Sequence, residues 1–365
     1  MRKIIIVAGE ESGDMYASNI INNFSEQENI KFYGMGSSKM KKTKAELLVD
    51  SSSLSVVGFF EILKIYPKLL KALNIMKKSV DIINPDLLIL IDYQEFNMKL
   101  AKYAKSKGVK VLFYISPQVW AWRENRIKNI KDCVDEMAVI FPFEEKYYKK
   151  HGLKSTYVGH PLVGNNSYKK KYSKEANHIG FFPGSRLNEV KKHIPIINDV
   201  INLIHKRNPK ERFIIANSEN IDEKIYEENF SNKDYVEIIT NENIYKTIDM
   251  CKVALAASGT ITLQIALKKV PMCVFYKLSN PTYLIAKLLV KTKFISLVNI
   301  VLEKKAVHEF IQSDASSENI YSEIDKLINN MSYRNEMINN LDLLEKKLLN
   351  DSSKVTIYDL VKSIL

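Results

Sequence analysis

The sequence predicts an α/β protein of two Rossmann-like domains, each a parallel sheet covered by helices, facing across a cleft. The first observation is length, because 365 residues exceed one typical domain and favour two of roughly 150–180 residues. The second is alternation, because short fully apolar runs, typical of strands buried on both faces, are separated by segments of helical character. The third is the polar, lysine-rich stretch 164–177, which is typical of a linker.

The first series opens with an apolar run at 3–8, a polar glycine loop and a helical stretch that ends near Phe24. Strand, loop and helix in this order are the usual opening of a doubly wound domain. The alternation then continues, with strands at 85–92, 110–115 and 136–140 and helices near 95–107 and 123–132.

The second series follows the linker. Its strands are predicted near 179–182, 212–216, 235–239, 253–256 and 271–275. The tail from about residue 316 is helical, and Ser352 or Ser353 is expected to cap a last helix that reaches Leu365. The predicted domains are therefore 1–165 and 172–345, with the helix at about 350–365 packing back on the first domain.

The composition excludes several classes of protein. A net charge of +12 invites a nucleic-acid or membrane partner, yet only seven of the 54 basic residues are arginine. No RNA-binding aromatic signature, zinc-finger spacing or basic-region zipper is present, so no nucleic-acid partner is expected. Cofactors are not expected either.

Cysteine usage and hydropathy indicate the compartment. Cys133, Cys251 and Cys273 lie in apolar surroundings and are interpreted as reduced core residues of a cytosolic protein. The apolar run at the start is too short for a signal peptide, and no window reaches the roughly 18 apolar residues of a transmembrane helix. A soluble or peripheral protein is expected.

Ligands of doubly wound sheets bind at the carboxyl ends of the strands, so the loops at those ends are the candidate sites. Gly184, Ser185 and Arg186 follow a strand and precede a helix. Backbone N–H groups, the helix dipole and the guanidinium there suit a phosphate. The alternative is an ordinary turn with a solvated arginine, because the glycine pattern is neither a Walker A motif nor G-x-G-x-x-G.

A second turn of the same kind, Ser258-Gly259-Thr260, follows a later strand. Two convergent anion-binding turns predict a diphosphate, whereas the alternative is a pair of serine and threonine helix caps. The sequence contains no Asp-x-Asp, which disfavours a metal-held nucleotide sugar. Without a metal, backbone N–H groups and Arg186 would have to stabilise the leaving diphosphate.

In the first domain, Asp92 ends a buried strand and is the candidate base that accepts a proton from an attacking hydroxyl. The alternative is an aspartate that caps a helix or ties a loop. Glu10 and Asp14 allow both interpretations, and Glu95 would complement a helix dipole. The loop 116–123 holds both tryptophans of the chain, which favours a binding surface over core packing.

The segment 56–73 is more apolar than one helix face requires, and lysines are interleaved with its apolar residues. Such a pattern suits an interfacial element against anionic lipid. Pro67 is expected to kink or divide the helix. The alternative is a helix buried between sheet and neighbour. The candidate membrane-facing residues are Phe60, Lys64, Ile65, Tyr66, Lys68 and Leu69.

Taken together, these motifs resemble one family, lipid-A-disaccharide synthase, an inverting glycosyltransferase of the GT-B fold. The resemblance runs through most of the chain. Its most specific part is Ser116-Pro-x-Val-Trp-Ala-Trp-Arg123. The other matching motifs keep the family's order: Ala8-Gly-Glu-x-Ser-Gly-Asp14, Gly58-x-x-Glu61, Ile91-Asp-x-x-x-Phe-Asn97, Pro142-Phe-Glu144, Gly159-His160, Pro183-Gly-Ser-Arg-x-x-Glu-Val190, Ala257-Ser-Gly-Thr260, Ala286-Lys-x-Leu-Val-Lys-Thr292 and Ser296-Leu-x-Asn299.

The resemblance implies transfer of 2,3-diacylglucosamine from its UDP derivative to 2,3-diacylglucosamine 1-phosphate, without a metal. It implies a cytoplasmic enzyme, peripheral to the anionic inner membrane, and admits a homodimer. Asp92 and Glu10 are then the catalytic residues. UDP would be bound by Gly184, Ser185, Arg186, Ser258, Gly259, Thr260, Gln264 and Asn299, and the acceptor side would comprise Ser12, Asp14, Asn97, Gln118, Trp120, Trp122 and Arg123.

Two positions depart from the family pattern. Glu95 stands where the family has a second aspartate, which weakens any essential role for that position. Gln264 replaces a glutamate after Ser-Gly-Thr, and a neutral amide should hold ribose hydroxyls less firmly than a carboxylate. The alternatives to this function are another GT-B enzyme that uses a UDP-sugar, such as a lipid-linked N-acetylglucosaminyltransferase or a UDP-sugar epimerase, and a non-catalytic membrane-docking protein.

Overall fold

The computed structural model describes residues 1–52, 54, 59–122, 124–163, 176–218, 221–230, 233–240, 243–279, 283, 287, 292–349 and 355–365. The chain divides into two compact units, which we call the N-terminal and C-terminal units. The first comprises Met1–Pro161 and Asn350–Leu365, and the second Leu162–Leu349.

The N-terminal unit is built on a seven-stranded, all-parallel sheet in the order β3-β2-β1-β4-β5-β6-β7. Its strands are β1 Arg2–Ala8, β2 Ile30–Gly36, β3 Glu46–Asp50, β4 Leu87–Ile91, β5 Lys110–Tyr114, β6 Glu136–Val139 and β7 Ser155–Tyr157. Its first six helices are α1 Glu11–Asn23, α2 Phe59–Ile83, α3 Gln94–Ser106, α4 Val119–Trp122, α5 Ile127–Cys133 and α6 Pro142–Lys150. Every residue of β4 is buried, as expected for a strand covered on both faces.

The C-terminal unit repeats this plan with a six-stranded parallel sheet in the order β10-β9-β8-β11-β12-β13. Its strands are β8 His178–Phe182, β9 Arg212–Asn217, β10 Val236–Thr240, β11 Cys251–Ala257, β12 Met272–Tyr276 and β13 His308–Ile311. Its helices are α7 Leu187–Arg207, α8 Lys224–Phe230, α9 Ile244–Asp249, α10 Thr260–Leu267, α11 Leu297–Leu302, α12 Ser317–Asn329 and α13 Met331–Leu349.

The last helix, α14 Ile357–Ile364, packs on the N-terminal unit. The Tyr358 ring lies 4.6 Å from that of Phe24, and its hydroxyl donates to Glu28 at 2.7 Å. Thr356 caps this helix in a capping box with Asp359, in place of the serine that the sequence predicts. Ser352 and Ser353 lie outside the described residues.

The prediction of two parallel α/β sheets is confirmed, and each predicted strand has a counterpart. Four strands were not predicted: β2, β3, β7 and β13. Helix α2 continues through Pro67 without ending, so the proline does not divide it. All three cysteines are free and buried, as predicted for core residues.

Each sheet has one place where the strand order reverses direction. It lies between β1 and β4 in the first sheet and between β8 and β11 in the second. Loops that leave a parallel sheet on either side of such a switch point separate and open a crevice at the carboxyl ends of the strands. The four loops at these two places begin at Gly9, Asp92, Pro183 and Ser258. All four belong to the candidate loops predicted from the sequence.

Candidate active site

Asp92 and Glu10 leave the carboxyl ends of β4 and β1, which are neighbours in the sheet with Ala8 paired to Ile91. Glu10 is the residue before α1, and its exposed side chain makes no capping hydrogen bond. The two carboxylates repel each other, since Glu10 contributes to the shifted pKa of Asp92. Capping therefore does not account for Glu10.

The backbone at Asp92 is unusual, because Asp92 (φ +46°) and Tyr93 (φ +45°) are two consecutive non-glycine residues in the left-handed region. Each such residue costs on the order of 1–2 kcal/mol relative to an ordinary conformation. Such strain persists only where the surroundings hold it. The Asp92 N–H donates to the Tyr114 carbonyl at 3.1 Å, which ties the turn to β5.

Burial, together with the nearby Glu10 carboxylate, raises the pKa of Asp92 from 3.8 to about 6. Both causes disfavour the charged form of a carboxyl. A carboxylate whose pKa lies near neutrality is ionised at physiological pH and is also basic enough to accept a proton. The site can therefore supply a general base.

Asn97 differs from the prediction that it lines the acceptor side. It is fully buried, and its Nδ2 donates to the Ile91 carbonyl at 3.1 Å and to the Asp92 carbonyl at 2.7 Å. Its amide therefore serves the backbone of the β4 turn.

Asp14 also differs from its prediction. Its carboxylate is fully buried in α1 and accepts from the Ser37 N–H and hydroxyl, both at 2.7 Å, and from the Lys39 N–H at 2.8 Å. Asp14 thus ties the loop after β2 to α1 and is not available to an acceptor. Ser12, in the first turn of α1, is exposed as an acceptor residue would have to be.

The loop after β5 carries the other acceptor candidates. Gln118 is exposed, while Trp120 is half-buried and donates its indole N–H to Glu144 at 3.0 Å. Helix α4 includes Trp122, but its side chain lies outside the described residues, as does Arg123.

Glu144, in the first turn of α6, holds this loop through hydrogen bonds. Its buried carboxyl accepts from the Ser116 hydroxyl at 2.7 Å and from the Phe141 N–H at 3.1 Å, besides Trp120. Burial outweighs these hydrogen bonds and raises the pKa of Glu144 to about 7. The sequence analysis assigned Glu144 no role. Its place among aromatic residues, after Phe143 and before Tyr147, was the sequence feature that could have indicated a buried carboxyl.

In the C-terminal unit, the turn after β8 has the geometry of an anion site. Gly184 has φ +108°, where an L side chain would be strained, and Arg186 is the residue before α7. The first N–H groups of a helix have no intrahelical partner and its N-terminus is partly positive, so a phosphate is favoured there.

The side chain of Arg186 is oriented by an ion pair with Glu189. The arginine side chain is 62% exposed and donates from Nη1 to Glu189 Oε1 at 3.0 Å, and the Tyr276 hydroxyl donates to the same oxygen at 2.7 Å. The pair with Glu189 fixes the orientation of the guanidinium at the start of α7. Glu189 and Tyr276 were not predicted, although an acid three residues after the arginine was a sequence signal for the pair.

His193 holds the same turn from α7. Its Nδ1 lies 2.7 Å from the Pro183 carbonyl, and its Nε2 accepts from the Lys277 N–H at 3.2 Å. Burial lowers the pKa of His193, so the ring is neutral with its proton on Nδ1. The turn after β8 is thereby fastened to the end of β12.

The turn after β11 is only partly as predicted. Gly259 precedes α10, and Thr260, its first residue, is exposed. The Ser258 hydroxyl donates its one proton to the Ile295 carbonyl at 2.7 Å, so it is not a donor for the diphosphate. Ser258 is not a helix cap either, because α10 has no side-chain cap hydrogen bond. Burial raises the pKa of the Tyr245 hydroxyl, and a hydrogen bond with the Gln264 side chain partly offsets that effect.

Asn299 is also different from its predicted role in UDP binding. It is fully buried, donates to the Val307 carbonyl at 2.9 Å and to Glu309 at 2.8 Å, and accepts from the Ala306 N–H at 2.7 Å. These bonds close the loop after α11. Asn299 therefore positions segments of its own chain.

Helix α2 exposes some of the predicted membrane-facing residues. Tyr66 is 47% and Leu70 40% exposed, and Lys68 is exposed. Leu69, a predicted membrane-facing residue, is half-buried and packs against the core of the N-terminal unit, so it is less accessible than Tyr66 and Leu70. Ile65 is half-buried. The side chains of Phe60 and Lys64 lie outside the described residues.

In the part of the chain that the structure describes, His, Cys, Asp and Glu side chains form no group of three or more that is placed to hold a metal ion. No helix there has the length and apolar character needed to cross a bilayer.

The chain is similar to known proteins over most of its length. The model of the family described as lipid-A-disaccharide synthetase matches residues 4–357. A lipid-A-disaccharide synthase from Geobacter metallireducens is 37% identical over 337 residues, which cover 90% of this chain and 88% of that protein.

Solved structures with low sequence identity share the fold. The glycotransferase of kitacinnamycin has a TM-score of 0.67 at 12% identity and covers 100% of this chain and 99% of its own. A UDP-GlcNAc 2-epimerase from Neisseria meningitidis, bound to UDP-GlcNAc, has a TM-score of 0.66 at 12% identity. The match covers 95% of this chain and 99% of the epimerase chain. The predicted GT-B fold is confirmed.

Proposed function

The chain belongs to the lipid-A-disaccharide synthetase family, and from this premise we propose that it is a hexosyltransferase that forms the lipid A disaccharide. The donor is UDP-2,3-diacylglucosamine and the acceptor is 2,3-diacylglucosamine 1-phosphate. The products are the β-1,6-linked disaccharide 1-phosphate and UDP.

The observation that carries the proposal is the Asp92–Glu10 pair at the switch point of the first sheet. Asp92 takes the proton of the acceptor's 6-hydroxyl as its oxygen attacks the anomeric carbon of the donor. The bond from that carbon to the diphosphate oxygen breaks, and its electron pair leaves with UDP. Attack opposite the leaving group inverts the anomeric centre.

The C-terminal unit is assigned the donor. The helix N-terminus after Gly184, the Arg186 guanidinium and the N-terminus of α10 at Gly259 offer positive charge to the two phosphates. Such fixed donors stabilise the charge that develops on the leaving diphosphate. We assign this role to backbone N–H groups at 185–187 and 259–260 rather than to the hydroxyl of Ser258.

The acceptor is assigned to the N-terminal unit, at the exposed polar residues beside Asp92. Ser12 and Gln118 are the exposed candidates, and the indole of Trp120 is held by Glu144. A half-buried aromatic ring held in one orientation can pack against the apolar face of a sugar.

Both substrates carry acyl chains, so we propose that the enzyme works at the surface of the anionic inner membrane, on its cytoplasmic side. Helix α2 is the proposed docking element through Tyr66, Leu70 and Lys68. Two large apolar side chains are worth several kcal/mol at most, and a lysine near the surface about 1 kcal/mol before screening. Such binding is reversible. A homodimer remains a prediction.

The test is to incubate the purified protein with both diacylated substrates and to follow UDP and the disaccharide. Both products are expected in equal amounts, and omission of the acceptor should suppress UDP release. The reaction should proceed in EDTA, because the predicted mechanism uses no metal.

UDP binding without either product would favour a non-catalytic protein. Conversion of UDP-GlcNAc alone to its epimer would favour an epimerase. A strict requirement for added Mg²⁺ would contradict the metal-free mechanism while leaving the reaction in place.

A further inference from the structure

We propose that Asn97, Tyr93 and Gly9 are positioning residues for Asp92, and that together they hold the left-handed turn that directs its carboxylate. The proposal rests on the proposed function, since it takes Asp92 as the base. None of the three contributes a reacting group. Each acts on the backbone or on the packing of the β4 turn.

The side chain of Asn97 donates to the carbonyls of two consecutive residues at the start of the turn. Its Nδ2 donates to the Ile91 carbonyl at 3.1 Å and to the Asp92 carbonyl at 2.7 Å. The amide can face two carbonyls only with its NH₂ end, so these contacts fix its orientation. Its buried Oδ1 has no hydrogen-bond partner within the described residues.

These hydrogen bonds are not part of a helix or sheet ladder. Helix α3 begins after Tyr93 without a side-chain cap, and the Asn97 N–H makes its ordinary helical bond to the Tyr93 carbonyl at 3.1 Å. A buried oxygen without a hydrogen-bond donor, such as Asn97 Oδ1, is unfavourable. The orientation of the Asn97 amide is therefore set by the two hydrogen bonds that its NH₂ group donates. Its two donations hold the strand end and the first left-handed residue.

The ring of Tyr93 fixes the second left-handed residue by its contact with Gly9. A Cβ added at Gly9 would lie 2.2 Å from Cγ and Cδ1 of Tyr93, far inside contact distance. Only glycine lets the ring lie over the chain there. Because Glu10 follows Gly9, the same contact sets the loop of Glu10 against the loop of Asp92.

Loss of the Asn97 amide would let Asp92 relax toward an ordinary backbone conformation and move its carboxylate. A displacement of about 1 Å in a reacting group lowers the rate by up to roughly 10²-fold. In Asn97→Ala we therefore expect kcat to fall by about 10–100-fold, with UDP affinity unchanged. Asn23→Ala is the matched control, because Asn23 is exposed and its Nδ2 bonds only to a carbonyl of its own helix.

The decisive measurement is the same substitution in an Asp92→Asn background. If Asn97 acts through Asp92, Asn97→Ala should cause no further loss there, since residues that act as a unit are not additive. Asn97→Ser, which keeps one donor, should lose less than alanine. Circular dichroism checks that each variant is folded.

A second pair of variants tests the other contact even if Asn97→Ala does not fold. Gly9→Ala should lower kcat because its Cβ meets the Tyr93 ring. In a Tyr93→Gly background that clash is gone, so Gly9→Ala should have no further effect.

Wild-type turnover in Asn97→Ala, or losses that multiply in both double variants, would overturn the positioning role. Absence of turnover in the wild-type protein would instead refute the proposed function. The two failures are therefore distinguishable.

Discussion

At the scale of single residues, the proposed chemistry depends on the half-buried carboxyl of Asp92, whose surroundings raise its pKa. Burial and the Glu10 charge raise the pKa of Asp92 to about 6. The strain of two left-handed residues shows that its backbone conformation is imposed by its neighbours. Glu95, three residues after Asp92, forms an ion pair with Arg126.

The pH dependence of turnover tests this assignment. A base must be deprotonated, so kcat/KM should rise with pH through an apparent pKa near 6 and then level off. In Glu10→Gln the repulsion that raises the pKa of Asp92 is removed, so the acid limb should move to lower pH. Glu26→Gln, an exposed carboxyl elsewhere in the same unit, should leave the limb in place. A limb that stays fixed or moves upward in Glu10→Gln would contradict the coupling.

Residue types in a motif did not reveal which polar side chains face a ligand. Asp14, Asn97 and Asn299 were predicted to line the site, yet each is fully buried and bonds to the chain's own backbone. A buried amide or carboxylate that satisfies backbone groups has the same sequence signature as a ligand-binding one. The partners of such residues lie far along the chain and are fixed only by the fold.

At the scale of elements, the same strand–turn–helix unit supplies the functional loops in both sheets. Their carboxyl-end position was predictable, because apolar runs marked the strands β1, β4, β8 and β11. Strands β2 and β3 were not predicted, since β2 contains two glycines and β3 is only half-buried at the sheet edge. The place where the strand order reverses depends on such strands and could not be read from the sequence.

The turn after β8 is the element whose substitution should affect the donor alone. Arg186→Ala should weaken UDP binding by about 1.5–3 kcal/mol, the range for charged hydrogen bonds. The loss should lie toward the upper end, because Glu189, 16% exposed, would keep its charge beside the phosphates without its partner. Lysine should restore part of the affinity, being a point charge rather than a fork.

Calorimetry with UDP measures this effect. Arg212→Ala is the control, because that exposed arginine begins β9 at the amino ends of the strands, whereas Arg186 follows the carboxyl end of β8. Unchanged affinity in Arg186→Ala would remove the arginine from the diphosphate site.

At the scale of the whole molecule, both units are parallel sheets whose strand order reverses once, and α14 returns the end of the chain to the first unit. The net charge of +12 supports the proposed docking to an anionic membrane, since basic residues near such a surface raise the affinity for it. That contribution should weaken as ionic strength rises.

Helix α2 is the part of the surface to vary. A Tyr66→Ser, Leu70→Ser, Lys68→Glu variant should release the protein from anionic vesicles while UDP affinity and folding remain, because these side chains are exposed. Ile82→Ser is the control at the other end of the helix, where the side chain is 82% exposed. Sedimentation with vesicles at two salt concentrations measures the effect. If the triple variant sediments like wild type, α2 is not the docking element.

The most direct test of the central claim, that Asp92 is the general base of disaccharide formation, is turnover of Asp92→Asn with both diacylated substrates. Asparagine keeps the size of the side chain but cannot accept the proton, so kcat should fall by roughly 10²–10⁴-fold, the range for a lost general base. UDP affinity measured on the same sample should stay near that of wild type. Turnover within a few-fold of wild type would contradict the account.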